Sequence, residues 1–253
     1  MKIALITGAT AGFGKACAIK FAANRYDLIL TGRRKERLDS LKSELERTYG
    51  IKVLTLCFDI RNREEVEKYL TLPSDWRHID VLINNAGLAL GLSGIESGNM
   101  DDWDIMIDTN VKGLLYVTRM IAPLMKERMQ GHIFNIGSVA GKDTYKNGNV
   151  YCATKHAVDS LTKATRIDLL PYNIKVTGIC PGAAETEFSL VRYKGDEQKA
   201  KDVYKGFSPL LAEDISEIIW FAVTRPAHVC LNDIVVTPTV QANAFYMEKK
   251  LDI

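Results

Sequence analysis

Short apolar runs alternate along this chain with longer segments of helical period, and this alternation constrains the fold more than any other feature. Parallel strands need crossover connections, so the pattern predicts an α/β fold, a parallel sheet with helices on both faces. The predicted strands cover residues 2–7, 27–31, 53–58, 80–84, 132–136, 174–180 and 234–236. The predicted helices cover residues 12–23, 34–49, 63–70, 103–129, 150–170 and 213–224.

The 253 residues are predicted to form a single domain, because no linker, repeat or low-complexity tract divides them. The longest stretch without a clear period runs from residue 181 to about residue 201. A long loop inside a compact domain is often a lid or a binding loop. We therefore expect an irregular substrate loop at about residues 181–210.

The balance of charges argues against nucleic acid or an anionic membrane as the main partner, since 33 basic residues face 31 acidic ones. The five cysteines are odd in number and form no CxxC pair, which is typical of reduced thiols in a cytoplasmic protein. The four histidines show no metal-ligand spacing, so no metal site is predicted. No signal peptide and no membrane span is expected either.

The first predicted strand leads into TGATAGFG, which places Gly8, Gly12 and Gly14 just before a helix. Glycines let the backbone turn tightly and approach a pyrophosphate, whose charge then lies at the helix N-terminus. The spacing departs from a strict GxGxxG, so a plain structural turn is the alternative.

The second predicted strand ends in Thr31-Gly32-Arg33-Arg34, without an acidic residue. An acid at this place usually binds the ribose hydroxyl of NAD, whereas an arginine accommodates the 2′-phosphate of NADP. Arg33 and Arg34 therefore favour NADP over NAD. The alternative is a solvated basic start of the next helix, but cations at that end oppose the helix dipole.

Tyr151 and Lys155 are four residues apart, so a helix would place them on one face. A tyrosine has an ordinary pKa of about 10, and a fixed cation nearby would lower that pKa and make the phenol a better base. Ser138 ends a predicted strand, at the sheet edge where such folds bind ligands. The three residues form a candidate catalytic set.

With these motifs the chain resembles the short-chain dehydrogenase/reductase family over essentially its whole length, including its NNAG, helix asparagine and PG motifs at residues 84–87, 110 and 181–182. The resemblance implies a Rossmann-type, doubly wound sheet. It implies that Tyr151 is the acid/base, that Ser138 orients the substrate oxygen, that Lys155 serves the tyrosine and the nicotinamide ribose, and that Asn110 holds a water relay.

A cofactor site is implied as well, with Asp59 and Ile60 beside the adenine and Thr186 at the nicotinamide amide. The expected cofactor-binding residues are Gly8, Thr10, Gly12, Phe13, Gly14, Arg33, Arg34, Asp59, Ile60, Asn85, Ala86, Gly87, Tyr151, Lys155, Pro181, Gly182 and Thr186. Structural turns would be the alternative explanation for the two asparagines of NNAG.

The segments NNAGLALG, GNVYCATK and TEFSLVRYKGD resemble the branch of NADP-dependent 3-hydroxy acid dehydrogenases, which includes serine and allo-threonine dehydrogenases and reductases of malonic semialdehyde. Such substrates carry a carboxylate beside the carbinol. Arg192 and Lys194 are candidate cations for it, and arginine is the better bidentate ligand. The predicted substrate-binding residues are thus Ser138, Tyr151 and Arg192. The chain departs from typical members at residues 142–143 and 183–184.

Other functions stay open: a broad-specificity carbonyl reductase, a 3-oxoacyl reductase, or an NADP-binding sensor without turnover. The family builds dimers and tetramers from the helices predicted at residues 103–129 and 150–170, so a homotetramer is expected. The tail, residues 241–253, contains Phe245, Tyr246 and Met247. It is expected to pack on a neighbouring subunit, to cap the pocket, or to fray.

Overall fold

The computed structural model describes residues 1–249, which build one parallel sheet in the order β3-β2-β1-β4-β5-β6-β7. The order reverses between β1 and β4, and the crevice at such a reversal is where open α/β sheets bind ligands. The predicted doubly wound fold is confirmed. The strands are β1 Ile3–Ile6, β2 Asp27–Gly32, β3 Val53–Cys57, β4 Ile79–Asn84, β5 Gly131–Ile136, β6 Ile174–Pro181 and β7 Asp233–Val236.

Helices cover both faces of the sheet. The helices are α1 Gly12–Ala23, α2 Lys35–Tyr49, α3 Arg63–Tyr69, α4 Met100–Ile107, α5 Leu114–Glu127, α6 Asn149–Leu169, α7 Glu187–Arg192, α8 Glu197–Asp202 and α9 Ala212–Val223. One core lies between the sheet and α1, α2 and α9, and a second lies under α3, α5 and the end of α6.

The central strands β1, β4, β5 and β6 are mostly apolar because both of their faces are covered. In β1, Ala4 and Ile6 belong to the first core, whereas Ile3 and Leu5 belong to the second. A one-residue shift in register would exchange the two sets, so the packing fixes the register.

The sequence predicted one helix at residues 103–129, but the structure has two helices there. α4 and α5 are joined by a π-helical turn, Asp108–Gly113, which contains Asn110. Such a turn adds a residue to one helical turn and often marks a functional site. The hydrophobic period is nearly continuous across it, so the pattern alone predicted one helix.

The expectation of an irregular loop after residue 181 is wrong, because this segment contains α7 and α8. Thr186 caps α7 by accepting a hydrogen bond from the Phe188 amide. Asp196 caps α8 by accepting one from the Lys199 amide. Both caps satisfy amide groups that would otherwise lack acceptors at a helix start.

Within residues 1–249 no helix is long and apolar enough to cross a membrane. In the same part of the chain, no three or more His, Cys, Asp or Glu side chains come together as a set that could hold a metal ion.

Candidate active site

A cavity of about 550 Å³ opens at the carboxyl ends of the central strands. Nearly all the site residues expected from the sequence line it, from Gly8 and Arg33 at one end to Tyr151 and Arg192 at the other. Gly14 and Asn110 lie behind the lining. The structure thus brings residues from six separate strand ends into one site.

The glycine loop has a backbone that only glycine adopts easily. Gly8 has a φ of +66° and Gly12 a φ of +49°. A Cβ on Gly14 would lie 2.4 Å from the carbonyl oxygen of Gly8, so a side chain there has no room. At Ala11, the N-cap of α1, no side chain of the described residues caps the helix. Its first amides therefore remain available to an anion.

The segment after β4 is fixed against this loop by hydrogen bonds. The Thr7 hydroxyl accepts from the amides of Asn85 and Ala86 at 3.0 Å each. The Asn85 side chain donates to the carbonyl of Thr7 at 2.8 Å. Asn85 therefore stabilises the contact between the two segments and also lines the cavity.

The two arginines after β2 have different surroundings. Arg33 is exposed, and its nearest carboxylate partner is Asp59, with Nη1 to Oδ2 at 3.8 Å. Arg34 donates to the Thr10 hydroxyl through Nη2 at 2.8 Å and to Glu187 through Nη1 at 2.8 Å. Both line the cavity, and their binding of a 2′-phosphate stays a prediction.

Asp59 and Ile60 line the same end of the cavity. Arg61 holds the Asp59 carboxylate, with Nη2 to Oδ2 at 2.6 Å. Burial raises the pKa of Asp59, but its hydrogen bonds with Arg61 outweigh burial and the net pKa is lowered. Asp59 is therefore a fixed anion, and its place beside the adenine stays a prediction.

Tyr151 and Lys155 lie on one face of α6 and are both buried. The Lys155 ammonium donates to the carbonyl of Ile136 at 2.8 Å and lies 6.0 Å from the centroid of the Tyr151 ring. Ser138 follows β5, accepts from the Ala140 amide at 3.1 Å and lines the cavity beside Tyr151. The three side chains meet as the sequence predicted.

The expectation of a lowered pKa at Tyr151 is wrong for this structure. Burial raises its pKa above the ordinary value, the Tyr145 phenol adds to the rise, and Arg192 and a hydrogen bond with Ser138 act against it. Burial also lowers the pKa of Lys155 to about 8, which the Cys180 thiol partly opposes. The phenol is therefore held protonated, and Arg192 is the cation that acts on it.

Asn110 projects from the π-helical turn toward the segment after NNAG. Its Oδ1 accepts from the Leu88 amide and its Nδ2 donates to the Leu88 carbonyl, both at 2.8 Å. Nδ2 also donates to Thr154, one residue before Lys155, at 3.1 Å. The side chain thus joins the cavity wall to α6, and its water relay stays a prediction.

Arg192 is the last residue of α7, and its side chain reaches Tyr151. Its guanidinium carbon lies 5.1 Å from the ring centroid of Tyr151 and 5.7 Å from those of Tyr145 and Phe188. Nη2 donates to the Tyr145 hydroxyl. Nε is buried and finds no hydrogen-bond partner among the described residues. Sequence reasoning missed Tyr145 and Phe188, since no motif spacing singles them out.

A smaller cavity of about 210 Å³ shares Tyr151 and Arg192 with the large one. Lys194 lines it but pairs with Asp102, with Nζ to Oδ2 at 2.8 Å. Lys194 is therefore engaged, and Arg192 is the better placed of the two candidate cations. Of the unusual positions, Ala183 and Ala184 line the large cavity, whereas Lys142 pairs with Asp159 and Asp233.

The tail contributes to the cavity wall through Gln241, Ala244 and Met247. Gln241 accepts from the Ala183 amide at 2.8 Å. Phe245 and Tyr246 point outward and are exposed. Of the three expectations for the tail, the structure favours capping of the pocket, and residues 250–253 lie outside the described part.

Comparison with known proteins agrees with this geometry. The family model described as short chain dehydrogenase matches residues 2–196. The NADP-dependent 3-hydroxy acid dehydrogenase of Salmonella typhi is 50% identical over 96% of this chain and 97% of its own length. Sulfoacetaldehyde reductase 2 of Chromohalobacter salexigens is 44% identical over 98% of each chain.

Among solved structures, the closed form of serine dehydrogenase complexed with NADP+ superposes with a TM-score of 0.90 at 47% identity, over 96% of this chain and 97% of that one. Fold, motif order and family model point the same way. The chain belongs to the short-chain dehydrogenase family.

Proposed function

We propose that this protein is an NADP-dependent oxidoreductase that transfers a hydride between the nicotinamide and the carbinol or carbonyl carbon of a short 3-hydroxy or 3-oxo acid. The observation that carries the substrate class is Arg192, whose buried Nε lacks a partner among residues 1–249 and which lies beside Tyr151. A carboxylate close to the reacting carbon would supply that partner. The names of the Salmonella and serine dehydrogenase relatives support the same chemistry.

The cavity fits a dinucleotide. Its elongated lining begins at the glycine loop, where Gly14 leaves a backbone surface that a Cβ would fill. The uncapped start of α1 suits a pyrophosphate, and Arg33 and Arg34 suit a 2′-phosphate. Lys155, Pro181 and Thr186 line the part of the cavity where the nicotinamide is expected. Bound NADP(H) would accept or supply the hydride.

The residues of the chain account for the proton and for the position of the substrate. In reduction the neutral Tyr151 phenol donates its proton to the carbonyl oxygen and is left as a phenolate. In oxidation the phenolate takes the hydroxyl proton of the substrate and becomes the neutral phenol again. The Ser138 hydroxyl holds that oxygen beside the phenol. Arg192 binds the carboxylate and also stabilises the phenolate that forms. The aromatic rings of Tyr145, Tyr151 and Phe188 surround Arg192 and exclude water. This strengthens the interaction of Arg192 with the carboxylate and with the phenolate.

Absorbance of NADPH tests this proposal in the presence of malonic semialdehyde, acetoacetyl thioester and simple aldehydes. NADP+ is tested in turn with serine, allo-threonine and 3-hydroxybutyrate, and Tyr151→Phe is the inactive comparison. Turnover of the acids at a far higher kcat/KM than uncharged carbonyls supports the proposal. Turnover of uncharged carbonyls alone would favour a broad-specificity carbonyl reductase. Turnover of the thioester would favour a 3-oxoacyl reductase. Tight NADP(H) binding without any turnover would favour a sensor.

A second candidate substrate is a short aldehyde that carries a sulfonate. The planar guanidinium of Arg192 offers the same pair of donors to a sulfonate as to a carboxylate. The sulfoacetaldehyde reductase relative supports this candidate. Adding sulfoacetaldehyde to the panel decides between the two acids by their kcat/KM values.

We also propose a homotetramer in the cytoplasm. Ile107 near the end of α4, Leu115 in α5 and Ile167 and Leu170 around the end of α6 are exposed apolar side chains. These helices form the subunit contacts in the family that the chain resembles. All five cysteines are free thiols, which supports a reducing compartment. Sedimentation of the full chain tests the tetramer.

A further inference from the structure

Glu187 makes an ion-pair bridge between two distant parts of the chain. It is the first residue of α7, and its Oε2 lies 2.8 Å from Nη1 of Arg34 while its Oε1 lies 2.6 Å from Nη1 of Arg37. Burial raises the pKa of Glu187, but the two arginines outweigh burial and the net pKa is lowered. The carboxylate is thus charged and held by two cations.

The bridge crosses the cofactor end of the large cavity. Arg34 follows β2 and Glu187 follows β6, and both line the cavity. Arg34 also donates to the Thr10 hydroxyl of the glycine loop. Arg37 takes part in the bridge but does not line the cavity, so its contact with the cavity wall is through Glu187.

The opposite end of α7 carries Arg192 and is held separately. The carbonyl of Arg192 accepts from the Gly91 amide at 3.0 Å, and Lys194 pairs with Asp102. A helix of six residues is too short to be stable by itself. Its position, and therefore that of Arg192, depends on what holds its two ends.

We propose that Glu187 is a positioning residue for the acidic substrate: through Arg34 and Arg37 it fixes α7, and with it Arg192, to the cofactor end of the cavity. The inference rests on the proposed function, because Arg192 is there the ligand of the substrate carboxylate. On this proposal the main role of Arg34 is to hold α7. Arg33 is more exposed and less tightly paired, so it is more available to bind a 2′-phosphate.

The test compares Glu187→Gln, Arg37→Gln and the double variant in the full protein. Lys35→Gln is the matched control, because Lys35 lies on the same helix and pairs with Asp39 away from the cavity. Hydrogen exchange of the amides in residues 189–195 is measured without ligand and with NADP+. The KM and kcat for a hydroxy acid and for an uncharged carbonyl are measured alongside.

We expect Glu187→Gln to raise the KM for the acid about three- to tenfold and Arg37→Gln about two- to fivefold, the range for one or two partly exposed ion pairs. The kcat and the KM for the uncharged carbonyl should stay within about twofold, since the pairs do not touch the reacting atoms. Amide exchange in α7 should rise in parallel. The double variant should resemble Glu187→Gln, because both changes break one bridge.

Unchanged exchange in α7 of both single variants would overturn the proposal, as would additive effects in the double variant. If no hydroxy acid is a substrate, the proposed function fails, yet the exchange measurement still decides whether Glu187 holds α7.

Discussion

Replacing Arg192 with methionine should abolish the preference for acidic substrates, and it should lower the turnover of uncharged substrates by a smaller factor, through the loss of its effect on Tyr151. Methionine keeps most of the length and the apolar stem but removes the charge. In the structure Nη2 already donates to Tyr145, whereas Nε is buried without a partner in residues 1–249. A carboxylate bound at Nε and at one further N–H would therefore gain two charge-assisted hydrogen bonds.

Each such bond is worth about 1.5–3 kcal/mol, so two give about 3–6 kcal/mol. The lower part of that range applies, because methionine also removes the cost of burying a charged group. A loss of about 3–4 kcal/mol corresponds to a fall in kcat/KM of roughly 150- to 900-fold at 1.36 kcal/mol per factor of ten.

The assay compares kcat/KM for 3-hydroxybutyrate and for its methyl ester with NADP+, in the wild type and in Arg192→Met. The matched control is Lys194→Met, which removes the neighbouring cation that is paired with Asp102. Its effect on the acid should stay below about fivefold, as for an exposed ion pair. The reasoning would be refuted if Arg192→Met lowered kcat/KM for acid and ester equally, since Arg192 would then act only through Tyr151 or the fold and not on the substrate carboxylate.

Three further predictions follow from the same structure. Tyr151→Phe should lower kcat by about 100- to 10,000-fold through loss of the proton donor, with NADPH affinity by fluorescence titration nearly unchanged, and near-normal turnover would contradict the assignment. Arg33→Ala should weaken NADP+ more than NAD+ in the same titration, whereas equal losses would contradict a role at the 2′-phosphate. Burial lowers the pKa of His132 to about 3, so only the unfolded chain gains its proton as pH falls from 6.5. The free energy of unfolding should therefore fall by up to about 1.4 kcal/mol per pH unit in urea titrations, and His132→Gln should remove that slope.

The central strands of the sheet could be predicted because they are buried on both faces. In β1, consecutive apolar residues serve alternate cores, so the strand is a short unbroken apolar run between turn signals. The helices between such runs fix parallel pairing. The order of the strands depends on contacts distant in the sequence, and local periodicity does not contain it.

The catalytic end was accessible from sequence because its residues follow strand ends or lie one helical turn apart. Ser138 follows β5, and Tyr151 and Lys155 share a face of α6. Arg192 was a candidate because it lies in the segment after β6. Its partners Tyr145 and Phe188 come from packing between separate elements, which no spacing rule describes.

The surroundings of charged groups were the least predictable part. Arg34 and Arg33 are adjacent and were equivalent in the sequence, but Glu187, 153 residues away from Arg34, engages only one of them. The pKa of Tyr151 was expected to fall because Lys155 is near in sequence. Burial, which depends on the complete fold, instead raises it.

The position of Arg192 gives one cation two tasks that compete. It lowers the cost of forming the Tyr151 phenolate, and it is the proposed ligand of the substrate carboxylate. A bound carboxylate neutralises part of that charge, so the phenol becomes a weaker acid when an acidic substrate is present. Lys155 lies 6.0 Å from the ring centroid and donates to the Ile136 carbonyl, and it is not among the groups that shift the pKa of Tyr151. Ser138 is then the other group beside Tyr151 whose hydrogen bond acts against the rise of the phenol pKa.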